Sequence, residues 1–343
     1  MITNIINVAE LAGKNWDFIE RFYSQPKSPE APAIAWKYYS GVANNLIERC
    51  ITRPKISRYR ACLQATCAIA NNRDIVISHL PRTSHWQSVF MRLSGKKNPH
   101  LAFAFNFTDL PQGKMHHAMK KSFRHIDHFV VYSEYERKKY ADYFEIPIEK
   151  IHMLHWAMET PKTDNAYTPP HQQYYCAVGG EGRDYETLIN TFRLLPEQHL
   201  TIVTRPNTIH VTDIPNNITV FYNLPSQHFW RIVEKSKAVI VPLINEDTAC
   251  GHITLVGAMR LGKAIITTQS QGTSDYVIDN YNGLIVESNN CNAIKNAVLQ
   301  FESDPALINT LSQNSIAFTQ KHCEPTLWAN HIEAFINDHT NHK

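Results

Sequence analysis

Short apolar runs rich in β-branched residues alternate with helical runs along most of the chain. The clearest example is an apolar-rich helical run at residues 252–261, which begins behind Gly251 and stops at the helix-ending Gly262. A β-branched strand follows at residues 263–268, and the Asn282-Gly283 turn leads into another short apolar strand. Strands and helices that alternate at this spacing predict βαβ units and parallel sheets.

Two α/β halves can be traced in this alternation. In the first half the pattern predicts strands at residues 3–8, 74–78, 100–107 and 128–132 and helices at 87–93, 114–125 and 134–144, and it favours a mostly helical stretch at 33–70. In the second half it predicts strands at 174–178, 199–204, 218–221 and 238–242, helices at 185–195 and 227–237, and a closing helix at 326–338. The predicted fold class is α/β, with two doubly wound, Rossmann-like domains that face a cleft and bind ligands at the carboxyl ends of their strands.

The length of 343 residues is large for one core and suits two domains of ordinary size. A polar, proline-bearing stretch indicates a linker at residues 161–172. We therefore predict an N-terminal domain at residues 1–160, a C-terminal domain at 173–322 and a closing helical segment at 323–343. The apolar face of that last helix is expected to pack back on the N-terminal domain.

The composition is that of a globular protein, with 43% apolar and 19% charged residues. No apolar run approaches the roughly 20 residues that span a bilayer, and the N-terminus lacks a signal-peptide pattern. The seven cysteines show no CxxC spacing, which favours reduced thiols. These features predict a cytoplasmic location.

The net charge of +3 conceals an asymmetry between the two halves. Residues 1–160 hold 22 basic and 14 acidic side chains, whereas residues 161–343 hold 12 basic and 17 acidic ones. A basic first half indicates an anionic partner, either an acidic acceptor or a membrane surface, although a charged, soluble surface explains it equally well.

A basic helix at residues 114–124 is one candidate for such a contact. Its lysines and arginine are interleaved with two methionines and a phenylalanine. Such a helix can lie on an anionic membrane and meet a lipid-linked acceptor, so peripheral attachment to the inner face of the membrane is a further expectation. An ordinary solvated amphipathic helix is the alternative.

Two glycine-bearing segments point to phosphate chemistry. Residues 179–183, Gly-Gly-Glu-Gly-Arg, begin where a predicted strand ends and a helix starts, so that the backbone can approach a phosphate and Arg183 can offset its charge. The loop before residues 252–261 exposes helix N–H groups and the positive end of a helix dipole, which together suit a diphosphate. A tight turn with Arg183 on the surface is the alternative for the first segment.

The residue order from Cys250 to Glu287 resembles the nucleotide-sugar segment of retaining glycosyltransferases with the GT-B fold, the large family-four type. Residues 133–151 look like the last strand–helix unit of the GT-B N-terminal domain, residues 180–188 look like the start of its C-terminal domain, and residues 220–225 stand where that family contacts the base. The resemblance covers about residues 70–338. It implies transfer of a hexose from a nucleoside-diphosphate sugar to a glycan or lipid-linked acceptor, with retention, without metal and without a cofactor, in polysaccharide biosynthesis.

The resemblance also assigns roles to individual residues. The N-terminal domain would bind the acceptor, and the C-terminal domain the donor. The predicted donor-binding residues are Gly179, Gly180, Arg183, Arg205, Tyr222, Asn223, Glu246, Asp247, Gly251, His252, Ile253 and Thr254.

One departure from the family pattern concerns a pair of glutamates eight positions apart. Ala249 and Gly257 stand in their places here, and neither is acidic. Glu246 and Asp247 lie just upstream and can substitute if the loop is longer than in the family. A catalytically degenerate GT-B subunit that acts in binding is therefore one alternative function, and a GT-B nucleotide-sugar epimerase is another.

Two residues of the first half are candidate catalytic groups. His79 follows a predicted strand and can face the cleft, or it is a structural histidine. Asp109 can orient the acceptor hydroxyl or accept its proton, or it caps a turn. The sequence holds no Asp-x-Asp pair, Walker loop or zinc-type histidine pair, so we expect no metal site, and no recognisable nucleic-acid module accompanies the basic residues.

Overall fold

The computed structural model describes residues 2–10, 20–21, 33–51, 53–247 and 250–340. The chain divides into two units, of which the first comprises Met1–Leu154 and Pro325–Lys343 and the second His155–Glu324. The stretch predicted to be a linker belongs to the second unit in this division. Two parallel six-stranded sheets lie among the described residues, one in each unit, so the predicted α/β class with two doubly wound domains is confirmed.

The sheet of the first unit has the strand order β2-β1-β3-β4-β5-β6, and all its neighbouring strands are parallel. Its strands are β1 (Ile2–Ala9), β2 (Ala33–Ser40), β3 (Ile75–His79), β4 (His100–Phe103), β5 (His128–Val131) and β6 (Ile151–Met153). Its helices are α1 (Leu46–Cys50), α2 (Ile56–Cys67), α3 (Pro81–Leu93), α4 (Gly113–Phe123) and α5 (Glu134–Phe144), with the closing helix α11 (Pro325–Thr340). The order of the strands reverses between β1 and β3.

The sheet of the second unit has the order β12-β11-β10-β7-β8-β9 and is also parallel. Its strands are β7 (Tyr175–Val178), β8 (Leu200–Thr204), β9 (Ile218–Tyr222), β10 (Ala238–Val241), β11 (Ala264–Thr268) and β12 (Gly283–Val286). Its helices are α6 (Tyr185–Arg193), α7 (Ser226–Lys235), α8 (His252–Arg260), α9 (Cys291–Ser303) and α10 (Pro305–His322). Here the strand order reverses between β7 and β10, and ligands of doubly wound sheets bind at such a switch point.

Local sequence signals explain where several elements begin. Ser133 caps α5, because its hydroxyl accepts a hydrogen bond from the backbone N–H of Glu136 at 3.1 Å. Asn290 and Asp304 cap α9 and α10 in the same way. Gly262 has φ +67°, a left-handed conformation that ends α8.

Two stretches differ from the sequence-based expectations. Residues 33–70 were expected to be mostly helical, but Ala33–Ser40 is the edge strand β2, paired with β1 over its whole length. This prediction was wrong because the aromatic and β-branched character of that stretch favours a strand once a neighbour supplies the hydrogen bonds. The helices α9 and α10, between β12 and the closing helix, had not been predicted.

The closing helix packs on the sheet of the first unit. Trp328, Ile332 and Phe335 are buried, and the ring of Trp328 meets the edge of Phe103 of β4 at a centroid distance of 5.1 Å. The last strands of the first sheet therefore gain their cover from the far end of the chain.

Buried histidines give both units a common sensitivity to acid. His79 and His100 of the first unit have their pKa lowered to about 3 by burial, and burial lowers the pKa of His252 in the second unit to about 4. Below the unfolded-chain value of about 6.5 the unfolded state binds protons that the folded state refuses. The stability is thus fully present above that pH and is lost as the pH falls.

We expect the free energy of unfolding to drop between pH 7 and pH 5, by several kcal/mol in total, since each pKa unit corresponds to about 1.4 kcal/mol per group. Carboxylates titrate mostly below this window. Urea unfolding at several pH values measures the effect, with the exposed His117→Ala variant as the control that keeps the wild-type profile. A flat profile would show that these histidines ionise freely in the folded protein.

Candidate functional site

Two loops are joined at the switch point of the second sheet. One follows β7 and runs from Gly179 to Asp184, and the other follows β10. The backbone N–H of Asp184 donates to the carbonyl oxygen of Pro242 at 2.9 Å, and that of Ile244 donates to Gly182 at 3.1 Å. These bonds fix the first loop against the second at the carboxyl ends of both strands, where the sheet topology places a ligand.

Gly179 allows the side chain of Arg183 to fold back over the loop. Its φ is +120°, and a Cβ atom at this position would lie 3.0 Å from Nη2 of Arg183. The carbonyl oxygen of Gly179 accepts hydrogen bonds from the hydroxyls of Tyr185 and Thr204. A side chain at residue 179 would therefore displace the guanidinium, because the backbone on the other side is held in place.

The guanidinium of Arg183 is a buried cation, with 9% of the residue exposed. It donates to neutral acceptors, namely the carbonyl oxygen of Glu181 at 3.0 Å, Sγ of Cys250 at 3.6 Å and the hydroxyl of Thr254 at 3.4 Å. Its Nε atom is buried without a hydrogen-bond partner, and no carboxylate of the described residues pairs with it. A buried charge without an opposite charge costs several kcal/mol, so this position calls for an anion.

The N-terminus of α8 lies against the same guanidinium. Gly251 precedes the helix with φ +100°, and a Cβ atom there would lie 3.4 Å from Nη2 of Arg183. No side chain caps the helix, and no acidic residue stands in its first turn. The partial positive charge of the helix end thus adds to that of Arg183, and the amides of residues 252–254 belong to the first turn. Such a pair of positive groups is the kind of environment that binds phosphate groups in proteins, as the sequence predicts for this segment.

The side chains of the first turn of α8 have separate roles. His252 is buried, donates from Nε2 to the carbonyl oxygen of Gly272 at 2.7 Å and stacks on Tyr276, so it offers the site only its backbone. Ile253 is exposed, and the Thr254 hydroxyl lies 3.4 Å from Arg183. The predicted role of this segment in donor binding therefore rests on amides and on one hydroxyl.

Three further predicted donor residues follow β8 and β9 at the same edge of the sheet. Arg205 is exposed and pairs with Glu181, and its side chain lies over Gly180. Tyr222 ends β9 and is 48% exposed, and the N–H of Asn223 donates to Thr204 at 3.0 Å. The structure thus places these residues along the same edge as Arg183.

The acidic candidates of the loop before α8 are exposed. The carbonyl oxygen of Glu246 accepts from the backbone of Gln271 at 2.8 Å, which ties this loop to the segment after β11. Asp247 is exposed as well. Residues 248–249, and with them Ala249, lie outside the described residues.

An aromatic ring from another helix occupies the space beside the Cα atom of Gly257. A Cβ atom at this position would lie 2.2 Å from the ring of Trp230 in α7, and Trp230 is only 7% exposed. The indole ring therefore occupies the space that any side chain of residue 257 would need. Trp230 of α7 therefore packs directly on the backbone of α8 at this residue.

The two candidate catalytic residues of the first unit differ in their exposure to solvent. His79 is fully buried, lies 2.6 Å from Oδ1 of Asn7 through its Nε2 atom and packs on the edge of Phe103. The structural alternative describes His79, because a side chain without exposed surface cannot reach a substrate. Asp109 is exposed in a bend, where it makes no hydrogen bond with any residue that the structure describes.

A basic pocket at the switch point of the first sheet had not been predicted. Its volume is about 540 Å³. It adjoins Glu10, which directly follows β1 and accepts a hydrogen bond at 3.1 Å from the hydroxyl of Thr83 in the first turn of α3. The pocket is lined by four cations and by aromatic and methionine side chains, which are Arg53, Lys55, Arg58 and Arg82 with Tyr59, Trp86, Met115 and Met119.

Only part of the positive charge of this basic pocket is neutralised. Lys55 and Arg58 pair with Glu10. Burial alone would raise the pKa of Glu10, but the two cations outweigh burial and lower that pKa below its usual value. Arg53 and Arg82 are exposed and form no ion pair with a described residue. The density of arginine and lysine at residues 53–60 was a signal for this pocket, but the positive charge was assigned only to the first half of the chain as a whole and to the basic helix at residues 114–124.

The basic helix α4 keeps less free charge than its sequence indicates. Lys120 and Arg124 pair with Glu145, and Met119 and Phe123 are buried in the core. Among the described helices, none combines the length and the apolar character needed to cross a bilayer. Attachment to a membrane surface stays a prediction.

Comparison with known proteins finds a family match in the second unit, which holds Arg183 and α8. Residues 171–318 match the family model described as glycosyl transferases group 1. The relative "uncharacterized glycosyltransferase MJ1178" of Methanocaldococcus jannaschii is 31% identical over 111 residues, which are 32% of this chain and 31% of that protein. The match thus spans about a third of the relative's length.

Solved structures match nearly the whole chain. Sucrose-phosphate synthase from Thermosynechococcus elongatus has a TM-score of 0.71 at 14% identity, covering 99% of this chain and 100% of that one. A glycosyltransferase from Rickettsia africae has 0.72 at 14%, covering 98% of each chain. Anabaena HepE in complex with UDP-glucose has 0.69 at 10%, covering 98% and 100%. The predicted GT-B fold is confirmed.

Replacing Arg183 tests the diphosphate seat predicted at the N-terminus of α8. We expect Arg183→Gln to weaken the binding of UDP or GDP by about one to two orders of magnitude, since a hydrogen bond to a charged group contributes about 1.5–3 kcal/mol. The unfolding temperature of the ligand-free protein should stay the same or rise, because an uncompensated buried charge is removed.

Isothermal titration and thermal unfolding measure both effects. The matched control is Arg193→Gln, which removes an exposed arginine that pairs with Asp213 in the same unit. Unchanged nucleotide affinity in Arg183→Gln, or a large loss of stability without ligand, would mean that Arg183 is a structural residue.

Gly257→Ala should destabilise the second unit by about 1–3 kcal/mol, because the added methyl group overpacks against Trp230. In a Trp230→Leu background the same change should cost much less, and urea unfolding of the four proteins of this double-mutant cycle measures the difference. Equal penalties in both backgrounds would show that the ring does not fill this space.

Proposed function

We propose that the chain is a retaining glycosyltransferase that moves a hexose from a nucleoside-diphosphate sugar to an anionic acceptor. The observation that carries the proposal is the buried guanidinium of Arg183, which lies at the uncapped N-terminus of α8 without a carboxylate partner among the described residues. The family match covers this same region, and Anabaena HepE was solved with UDP and with UDP-glucose.

The chemistry of such a transfer assigns a task to these groups. When the bond between the anomeric carbon and the diphosphate breaks, negative charge grows on the leaving oxygen. Arg183 and the amides of residues 252–254 would stabilise that charge more strongly in the transition state than in the bound donor, which is what accelerates the reaction. In this proposal these fixed groups supply the positive charge at the leaving group, so that no metal ion is required.

Retention follows the resemblance to family-four transferases and is part of the proposal. The acceptor hydroxyl would attack from the side that the diphosphate leaves, and the departing phosphate oxygen would take its proton. No carboxylate nucleophile is then needed, which agrees with Gly257 standing in place of a glutamate.

The acceptor class is proposed from the basic pocket. Arg53 and Arg82 stand at its opening without ion pairs to described residues, and Trp86 and Met115 form part of its wall. Guanidinium groups bind phosphate and carboxylate through paired hydrogen bonds, and an apolar wall suits a sugar face or an alkyl chain. An acceptor that carries a phosphate or carboxylate, such as a lipid-linked saccharide or an acidic glycan, fits this lining.

Peripheral attachment at the cytoplasmic face of a membrane would accompany a lipid-linked acceptor. The support is limited to the exposed Lys114 and Lys121 of α4, because the other two cations of the helix pair with Glu145. Polysaccharide biosynthesis is the corresponding process in this proposal.

A second candidate function is a subunit that binds nucleotide sugars without turnover. The specific observation in its favour is Trp230, which fills the space beside Gly257 where the family carries a carboxylate. The two candidates share the diphosphate seat and differ in catalysis.

Transfer and hydrolysis assays with a panel of UDP- and GDP-sugars separate them. We expect release of nucleoside diphosphate, accelerated by a phosphate- or uronate-bearing oligosaccharide and not by its neutral counterpart. Arg82→Gln should raise the KM for the anionic acceptor about tenfold or more while the donor KM stays unchanged. The matched control is Arg49→Gln, an exposed arginine of α1 outside the basic pocket.

Binding of a nucleotide sugar without any turnover would favour the non-catalytic subunit. Absence of nucleotide binding would contradict both candidates. Acceleration by neutral acceptors alone would leave the transferase in place and overturn the assignment of the basic pocket.

A further inference from the structure

Three histidines from distant parts of the sequence meet in the first unit. His128 opens β5, His152 lies in β6 and His331 lies on α11. One ring nitrogen of each lies within 4.8 Å of the others, and Nε2 of His128 is 2.7 Å from Nε2 of His331. Among the described residues this is the one group of three or more histidine, cysteine or acidic side chains with such spacing.

The packing of α11 holds the third histidine in place. β5 and β6 are parallel neighbours, with Phe129 opposite Ile151 and Val130 opposite His152. The rings of His128 and His152 stack at a centroid distance of 3.8 Å with planes 4° apart. His331 comes from the other side at 4.9 Å and 5.4 Å from the two rings, on a helix whose Ile332 is fully buried.

At least one of the facing nitrogens of His128 and His331 carries a lone pair, because two N–H groups cannot point at each other at 2.7 Å. A neutral imidazole keeps one nitrogen with a free lone pair, which is the form that binds metal ions. The close contact between His128 and His331 requires one proton between the two nitrogens, and a metal ion can replace it.

The donor set determines which metal is suitable. All three ligands are nitrogens, and no carboxylate belongs to the group, which disfavours Mg²⁺ and Ca²⁺ and favours Zn²⁺ or Co²⁺. A tetrahedral Zn²⁺ with Zn–N bonds of about 2.0–2.1 Å places its ligand nitrogens about 3.3 Å apart. The distance between the Nε2 atoms of His128 and His331 is 2.7 Å, and all three ligand nitrogens lie within 4.8 Å of one another, so small shifts reach this spacing. The nearby positive charge of Arg137 is offset by Glu134 at 3.2 Å, and His339 is the other titratable neighbour.

We propose that His128, His152 and His331 bind one Zn²⁺ ion, with water as the fourth ligand, and that the ion ties α11 to strands β5 and β6. Because the rings of His128 and His152 are parallel, a single ion cannot lie in both ring planes, so one of these rings turns on binding. The site is independent of the proposed transfer reaction, and its role is to fasten the end of the chain to the first sheet.

Titration of the full, tag-free chain with Co²⁺ after removal of metals tests this proposal. We expect one ion per chain, the visible absorption of tetrahedral Co²⁺, displacement of that signal by Zn²⁺, and a higher unfolding temperature with Zn²⁺. X-ray absorption of the loaded wild-type protein should show three nitrogen ligands with one oxygen. Absence of one-to-one binding, or a coordination shell without three histidines, would overturn the proposal.

His331→Ala and His152→Ala should each weaken binding of the ion by more than about tenfold and abolish the tetrahedral signal. His117→Ala is the matched control, because His117 is an exposed histidine of α4 bonded to its own helix at Gly113. His331→Gln keeps the size and polarity at this position and separates loss of a ligand from loss of packing. Wild-type affinity in both His331 variants would contradict the site even if wild-type protein binds metal.

Discussion

The candidate site depends on one buried positive charge. The guanidinium of Arg183 lies beside Gly179 and Gly251, bonded only to neutral acceptors, at the positive end of α8. Two positive groups that repel each other are stable together only when an anion joins them or when the fold tolerates the cost. The surrounding glycines show that the arrangement is specified, because a Cβ atom at residue 179 would displace the side chain. In the proposed function, substrate binding and part of the stability of this unit are therefore linked through Arg183.

Sheet topology explains the positions of the arginines without carboxylate partners. In each unit the strand order reverses once, and at each reversal the structure places arginines that lack carboxylate partners among the described residues, Arg183 in the second sheet and Arg53 and Arg82 in the first. Loops that diverge from such a point leave room for a ligand. The surplus of basic residues in the first half of the sequence corresponds in part to the pocket there.

The sequence predicted most of the elements that carry the candidate site, because they are governed by local signals. Glycine behind an apolar helical run located α8, and the Ser133 cap located α5 to the residue. The burial of Arg183 was not visible, since its pattern fits a surface turn equally well. Residues 33–40 form a strand only because β1 supplies the partner, which no local pattern records.

Contacts between distant residues account for the rest of what the sequence did not reveal. Trp230 fills the space beside Gly257 from another helix, and His331 reaches His128 across 203 positions of the chain. From the sequence, Gly257 in place of a glutamate indicates only that a carboxylate is missing. The structure shows that the ring of Trp230 occupies the space beside Gly257. The three histidines have no spacing in sequence that resembles a metal motif, because two strands and a helix bring them together.

A crystal structure of the protein with UDP or GDP tests the central claim most directly. We expect both phosphates within hydrogen-bonding distance of the Arg183 guanidinium and of the amides of residues 252–254, with the guanidinium remaining buried. Phosphates bound elsewhere, or Arg183 paired with a carboxylate of the protein while the nucleotide is present, would contradict it.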